Sequence, residues 1–276
     1  MKIDAHQHFW KFDPVRDSWI TDDMKVIQRD FLPDDLAPIL EANGINGCVA
    51  VQASQTEEET DFLIELASNH DFIKGIVGWV DLRSNDIDDQ LAHYASFAKV
   101  KGFRHVVQGE SDSEFMLRPQ FKAGITALES YNFTYDILIY HYQLEQAIQL
   151  VKLFPDQRFV LDHIAKPDIK SGEYAEWQTN IKKLALHTNV YCKISGMVTE
   201  ADWNKWTAAE FKVYLDTVVK AFGTDRIMYG SDWPVCTVAA SYEQQIGIVN
   251  DYFNTFSTLE KRNIMGGNAI RFYGLT

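Results

Sequence analysis

The sequence predicts an α/β fold, a single-domain (β/α)8 TIM barrel spanning residues 1–276, and three observations carry that prediction. Eight short β-rich runs recur along the chain, each separated from the next by a helix-patterned stretch, as parallel strands joined by helical crossovers require. No low-complexity linker interrupts the alternation. The G-x-G-x-x-G turn expected after the first strand of an open, dinucleotide-binding sheet is absent.

The first strand is expected from Lys2 to Phe9, where "IDAHQHFW" alternates, placing Asp4, His6 and His8 on one face and Ile3, Ala5 and Phe9 on the other. A long aromatic connection then runs from Trp10 to Leu32. It leaves the strand end where barrel loops build active sites, so Trp10, Phe12, Trp19 and Phe31 are placed either to roof a pocket or to cover core. Pro33, followed by Asp34 and Asp35, opens a helix that stops near Asn43 and Gly44. The second strand, Gly47 to Gln52, leads into a T-x-x-E capping box at Thr56 and Glu59 and the partly apolar helix of "TDFLIELASNH". Later strands are read at Phe72 to Val80, Gly102 to Gln108, Phe133 to Tyr140, Arg158 to His163, Val190 to Ser195 and Arg226 to Gly230. The helices that alternate with them and follow the last are read at Ile87 to Lys99, Pro119 to Tyr131, Gln143 to Phe154, Glu173 to His187, Ala208 to Phe222 and Tyr242 to Phe256.

Composition narrows the function. Over 276 residues, 46% hydrophobic and 24% charged side chains describe an ordinary packed globule, and a net charge of -13 without any basic block argues against a nucleic-acid partner. Cys48, Cys192 and Cys236 are odd in number and widely spaced, which suits free thiols in a reducing compartment, so a cytoplasmic protein is expected. No apolar run is long enough to span a bilayer and the first segment reads as a strand, so neither membrane association nor export is expected. The expected partner is a small molecule. Nothing in the pattern speaks to oligomeric state.

In a barrel, polar side chains at strand carboxyl ends carry the chemistry. Here "FVLDHIAKP" offers Asp162, His163 and Lys166, and "YGSDWP" offers Ser231, Asp232 and Trp233. "GFRHVVQ" adds Arg104 and His105, Gln52 closes the second strand, and Asp136 interrupts the apolar "FTYDILIY". Imidazoles grouped with one carboxylate suit a divalent metal or the direct activation of a water, and both point to hydrolysis. Each residue has a structural competitor: Asp232 as a cap, His163 as a packing histidine, Arg104 and Lys166 as solvated cations. By strand parity His105 and Asp162 should face the helix layer or support the residues that line the site.

"IDAHQHFW", "LDHIAKP", "RIMYGSDWP" and "GGNAIRFYG" together resemble the amidohydrolase superfamily, in its amidohydrolase-2 branch, and most of all the sugar-acid lactonases that act on fuconolactone or rhamnonolactone. The resemblance runs the length of the chain in the right order. It implies His6, His8, His163 and Asp232 as catalytic residues, Asp232 as general base, and hydrolysis of a sugar lactone to its aldonic acid. Arg104, Lys166, Gln52, Trp19 and Trp233 are then expected to bind substrate. One departure leaves the metal open: metal-dependent members carry a histidine or carboxylated lysine at the end of the fifth strand, where this chain has Tyr140 and then His141. Either zinc is held by His6, His8 and Asp232, or the site works without it and Arg104 or Lys166 stabilises the oxyanion. Two other readings stay open beside the lactonase, a metal-dependent decarboxylase of an unsaturated or aromatic acid and a catalytically silent barrel that binds carbohydrate.

Overall fold

The computed structural model describes residues 1–276 and shows one sheet of eight parallel strands in sequential order: β1 (Ile3–Gln7), β2 (Gly47–Val51), β3 (Ile73–Gly78), β4 (Val100–Val106), β5 (Thr134–Leu138), β6 (Phe159–Leu161), β7 (Val190–Ile194) and β8 (Ile227–Tyr229). The sheet closes on itself just beyond β1 and β8, where the Asp232 N–H donates to His6 O (2.8 Å) and the His8 N–H to Trp233 O (2.7 Å). Eight helices follow the strands in turn: α1 (Pro33–Ala42), α2 (Glu57–Asn69), α3 (Ile87–Tyr94), α4 (Pro119–Ser130), α5 (Leu144–Leu153), α6 (Ala175–Leu184), α7 (Lys212–Phe222) and α8 (Tyr242–Tyr252). Two short helices, α9 (Thr258–Arg262) and α10 (Asn268–Tyr273), end the chain. No helix is long and apolar enough to cross a membrane.

Strands such as GCVAV and FVL are buried throughout because the barrel covers one face and the helices the other, so they read as continuous apolar runs. Two cores result. Between sheet and helices lies a large cluster that includes Leu36, Leu63, Phe103, Phe121, Leu150 and Val218. Inside the barrel, Ile3, Ala5, Val49, Val51, Val77, Val160 and Met228 pack on Phe272, Tyr273 and Leu275, so α10 and the residue pair after it plug the amino end. Buried Asn268 donates to Thr224 O and Ile227 O (2.8 and 2.6 Å), fastening that plug to the base of β8.

Local departures from the expected pattern have identifiable causes. The β1–β2 register shifts between Asp4 and Gln7. Strict alternation therefore fails: Ile3 and Ala5 face the barrel interior, and so do His6 and His8, whereas Asp4 faces the helix layer, accepting from Ser231 N (2.9 Å) and Tyr242 Oη (3.0 Å). The capping box at α2 is half formed. Thr56 Oγ1 accepts the Glu59 N–H (3.2 Å), but the Glu59 carboxylate turns to the Ala53 N–H (2.9 Å) and fixes the loop after β2. Strand β6 ends at Leu161, short of His163, because the backbone from His163 to Lys166 turns left-handed, with φ of 53, 50, 62 and 45°.

Candidate active site

That left-handed run positions much of the site. Four consecutive non-glycine residues with positive φ store strain of about 1–2 kcal/mol each, and such conformations persist where surrounding structure holds them for a purpose. Here the turn swings the His163 ring into the mouth of the barrel. Gly196 makes room for it: a Cβ on its left-handed backbone (φ 64°) would lie 2.7–2.9 Å from three His163 atoms. Asp232, also left-handed (φ 59°), reaches the same point from the end of β8.

The four residues singled out as catalytic converge. Asp232 Oδ1 lies 3.4 Å from His8 Nε2, 3.8 Å from His163 Nε2 and 3.9 Å from His6 Nε2, and the two β1 imidazoles face each other at 3.2 Å. Outer partners orient the rings. His8 Nδ1 donates to Val51 O (2.8 Å), leaving Nε2 as the atom presented to the site, and His163 Nδ1 pairs with Ser195 Oγ (2.9 Å). Burial pushes all three imidazoles below the usual histidine range, which keeps them neutral near pH 7. Burial also works to raise Asp232, but His163, His8 and Lys166 outweigh it and hold the carboxyl below its ordinary value. The site thus contains an ionised carboxylate among neutral rings.

Beneath it lies a network of buried charges that sequence reading missed in part. Lys193, near the end of β7 and fully buried, places Nζ 2.5 Å from Asp136 Oδ2, 3.0 Å from Asp162 Oδ1 and 3.2 Å from His6 Nδ1. Arg104 Nη1 lies 3.1 Å from Asp162 Oδ2 and 3.3 Å from His6 Nε2. From the plug, Tyr273 Oη donates to Asp136 (2.7 Å). Asp162 therefore takes the second of its two expected places, supporting residues that line the site and not facing the helix layer, since the chain leaves the strand at that residue and parity no longer applies. The only signal for Lys193 was a lysine set among apolar neighbours in "VYCKIS", in a strand covered on both faces. His105 does face the helices, stacked on Phe115 and bonded to Glu110 (2.7 Å).

A cavity of about 660 Å³ opens above the cluster, and His8, Arg104, His163, Lys166 and Asp232 all line it. Of the expected aromatic residues only Trp19 reaches it, joined from the same loop by Arg16 and Met24. Trp10 instead donates its indole N–H to Arg29 O (2.8 Å) and packs on Phe31. Two residues expected to bind substrate lie outside the lining. Gln52 is fully buried and holds Arg104, its Nε2 donating to Arg104 O (3.2 Å) while its backbone carbonyl and Oε1 accept from the guanidinium. Trp233 is buried between Phe9 and Phe31. Tyr140, Glu200 and Trp203 also line the cavity; none had been assigned a role from the sequence.

A family model described as amidohydrolase matches residues 3–275. The chain belongs to the amidohydrolase family. Among its relatives is an L-fucono-1,5-lactonase of Burkholderia multivorans, 37% identical with 100% of this chain and 96% of the relative aligned. An L-fucono-1,5-lactonase of Burkholderia ambifaria is 34% identical over 99% of this chain and 95% of the relative. A crystal structure of an amidohydrolase from Burkholderia multivorans with bound zinc covers both chains completely at 36% identity and a TM-score of 0.97.

The amidohydrolase site of this chain has a donor set that fits a divalent ion. Around a tetrahedral ion with ligand bonds of about 2.0–2.2 Å, donor atoms sit roughly 3.3–3.6 Å apart; His6 Nε2, His8 Nε2 and Asp232 Oδ1 are 3.2–3.9 Å apart. A second trio, His6, Asp162 and His163, also has its donor atoms within 4.8 Å of one another, but Asp162 is already committed to Arg104 and Lys193. Beyond β5, Tyr140 lines the cavity and His141 Nδ1 is bonded to Lys166 O (3.0 Å), so neither joins the donor cluster.

Proposed function

We propose that this chain hydrolyses a neutral, polyhydroxylated sugar lactone to its aldonic acid, with Asp232 as the general base. The observation that carries the reading is the ionised Asp232 carboxylate, which opens on the cavity and is in contact with imidazoles that are themselves neutral. Full-length similarity to two L-fucono-1,5-lactonases supports the substrate class.

In this mechanism Asp232 accepts a proton from water as the water oxygen bonds to the lactone carbonyl carbon. Arg104, fixed by Asp162 and Gln52, presents a guanidinium to the oxygen that gains charge, with Lys166 as a second donor. The tetrahedral centre collapses by breaking its bond to the ring oxygen, which takes the proton back from Asp232 and becomes the free hydroxyl of the acid. His163 steadies the Asp232 carboxylate. Trp19 offers an apolar face for the sugar. If zinc is bound by His6, His8 and Asp232, it supplies Lewis acidity and a more acidic water. The reading carries a reducing, cytoplasmic setting with it, supported by three buried free thiols.

A pH-indicator screen of L-fucono-, L-rhamnono- and D-galactono-lactones, before and after chelator treatment, tests the proposal. Acid release from at least one of them is expected. No lactone turnover, with carbon dioxide released from an aromatic acid, would replace it with the decarboxylase reading.

A further inference from the structure

Every cation that lines the cavity is accompanied by a carboxylate. Arg104 pairs with Asp162 at 3.1 Å, Arg16 with Asp17 at 2.8 Å, and Lys166 with Glu200 at 3.9 Å. The first two pairs are hydrogen-bonded and their carboxylates buried, so they are fixed scaffolding. The third differs. Glu200 and Lys166 both line the cavity, their side chains are 20% and 18% exposed, and 3.9 Å is a Coulombic contact without a hydrogen bond. Lys166 is held in place by its left-handed backbone and by the Tyr140 ring, 5.7 Å from Nζ. No protein donor reaches the Glu200 carboxylate; burial raises the carboxyl above its ordinary value while the Lys166 ammonium pulls the other way, and both oxygens are left to accept from a ligand. With Asp232 added to the three pairs, the side chains alone sum to one negative charge in excess; an ion held by His6, His8 and Asp232 would reverse that sum and leave the Lys166–Glu200 pair as it is.

We propose that Glu200 is the residue that makes this site select neutral lactones: its carboxylate accepts sugar hydroxyls, and by balancing Lys166 it denies a carboxylated lactone a cation. A site discriminates as much by leaving the wrong ligand's charge unmatched as by contacting the right one. An anionic lactone entering here meets no ammonium or guanidinium that lacks a carboxylate partner. The inference deepens the lactonase reading and rests on it for the class of ligand.

The test compares D-glucono-1,4-lactone with D-glucaro-1,4-lactone, which differ in carrying a hydroxymethyl or a carboxylate at the last carbon. Equilibrium binding is measured by calorimetry on the chelator-treated full chain carrying Asp232→Asn, which slows turnover of either ligand. Adding Glu200→Gln should raise the glucaro-to-glucono affinity ratio about tenfold, and the gain should shrink in 1 M salt as charge is screened. Lys166→Met in the same background should move the ratio the other way. A ratio that changes less than threefold with Glu200→Gln, or rises with Lys166→Met, overturns the proposal. Hydrolysis of L-fucono-1,5-lactone by the unmodified chain is measured alongside: its absence would count against the lactonase reading, while the binding ratios judge Glu200 independently.

Discussion

Replacing Lys193 by methionine removes the cation that joins two buried aspartates. Methionine matches the lysine stem in length and apolar character, so the change isolates the ammonium group. In the folded chain Nζ is 2.5 Å from Asp136, 3.0 Å from Asp162 and 3.2 Å from His6, with no exposure at either carboxylate. Burial already pushes Asp136 up to about 6 against the pull of Lys193, whereas Lys193, His6 and Arg104 overcome burial to hold Asp162 well below the usual carboxylate range. Without Lys193, Arg104 is left to balance both acids. Breaking a buried pair by removing one partner costs about 3–5 kcal/mol. At about 2 °C per kcal/mol, a lower-end value for large domains, thermal unfolding should begin roughly 6–10 °C earlier. Lys193→Met with Asp136→Asn restores the balance of charge and should recover more than half of that loss. Thermal and urea unfolding followed by circular dichroism provide the assay. A Lys193→Met chain destabilised by less than about 1 kcal/mol, or a double variant no better than the single one, would refute the idea that Lys193 anchors the floor of the site.

Three further outcomes follow from the geometry. His163→Asn should lower kcat about 100-fold with little change in unfolding temperature, because the ring steadies Asp232 and its loss leaves the packing largely intact; a change below threefold in steady-state kcat would mark His163 as packing alone. Gly196→Ala should destabilise by about 1–2 kcal/mol through its left-handed backbone and, by driving its methyl into the His163 ring, lower kcat on the order of 100-fold; an unaltered kcat would contradict that contact. Zinc titrated into chelator-treated protein should saturate at one equivalent by calorimetry and fail to bind after His8→Ala. Saturation at two would contradict the placement of Tyr140 and His141 outside the donor cluster.

The barrel was legible because short β-rich runs alternate with helical patterns, some of which carry their own punctuation, as at Pro33 and at Thr56, whose side chain caps α2. The cluster of His6, His8, His163 and Asp232 was legible because its members stand at or near strand ends, where side chains leave the packed interior for the mouth. Reading failed where tertiary geometry overruled strand parity. The register shift in β1 sends Asp4 to the helix layer, whereas Asp162, read as facing that layer or as supporting the site, does the second by pairing with Arg104 and Lys193. Lys193 was hidden for a different reason. Its counterions come from β5 and from the turn after β6, far away in sequence, and an internal position in a buried strand gives no local sign that a charge there is balanced. Gln52 and Trp233 show the converse, since residues at strand ends turned out to hold Arg104 and to fill core.

The most direct test is kcat/KM for L-fucono-1,5-lactone with the unmodified chain and with Asp232→Asn. Asparagine keeps the shape of the side chain and tolerates the φ of 59° at this position, so the variant should fold normally. The account predicts hydrolysis by the unmodified chain and a fall of about 10²- to 10⁴-fold on losing the oxygen that accepts the water proton. An unmodified chain inert toward this and the other sugar lactones, or a folded variant keeping more than half of its activity, would contradict it.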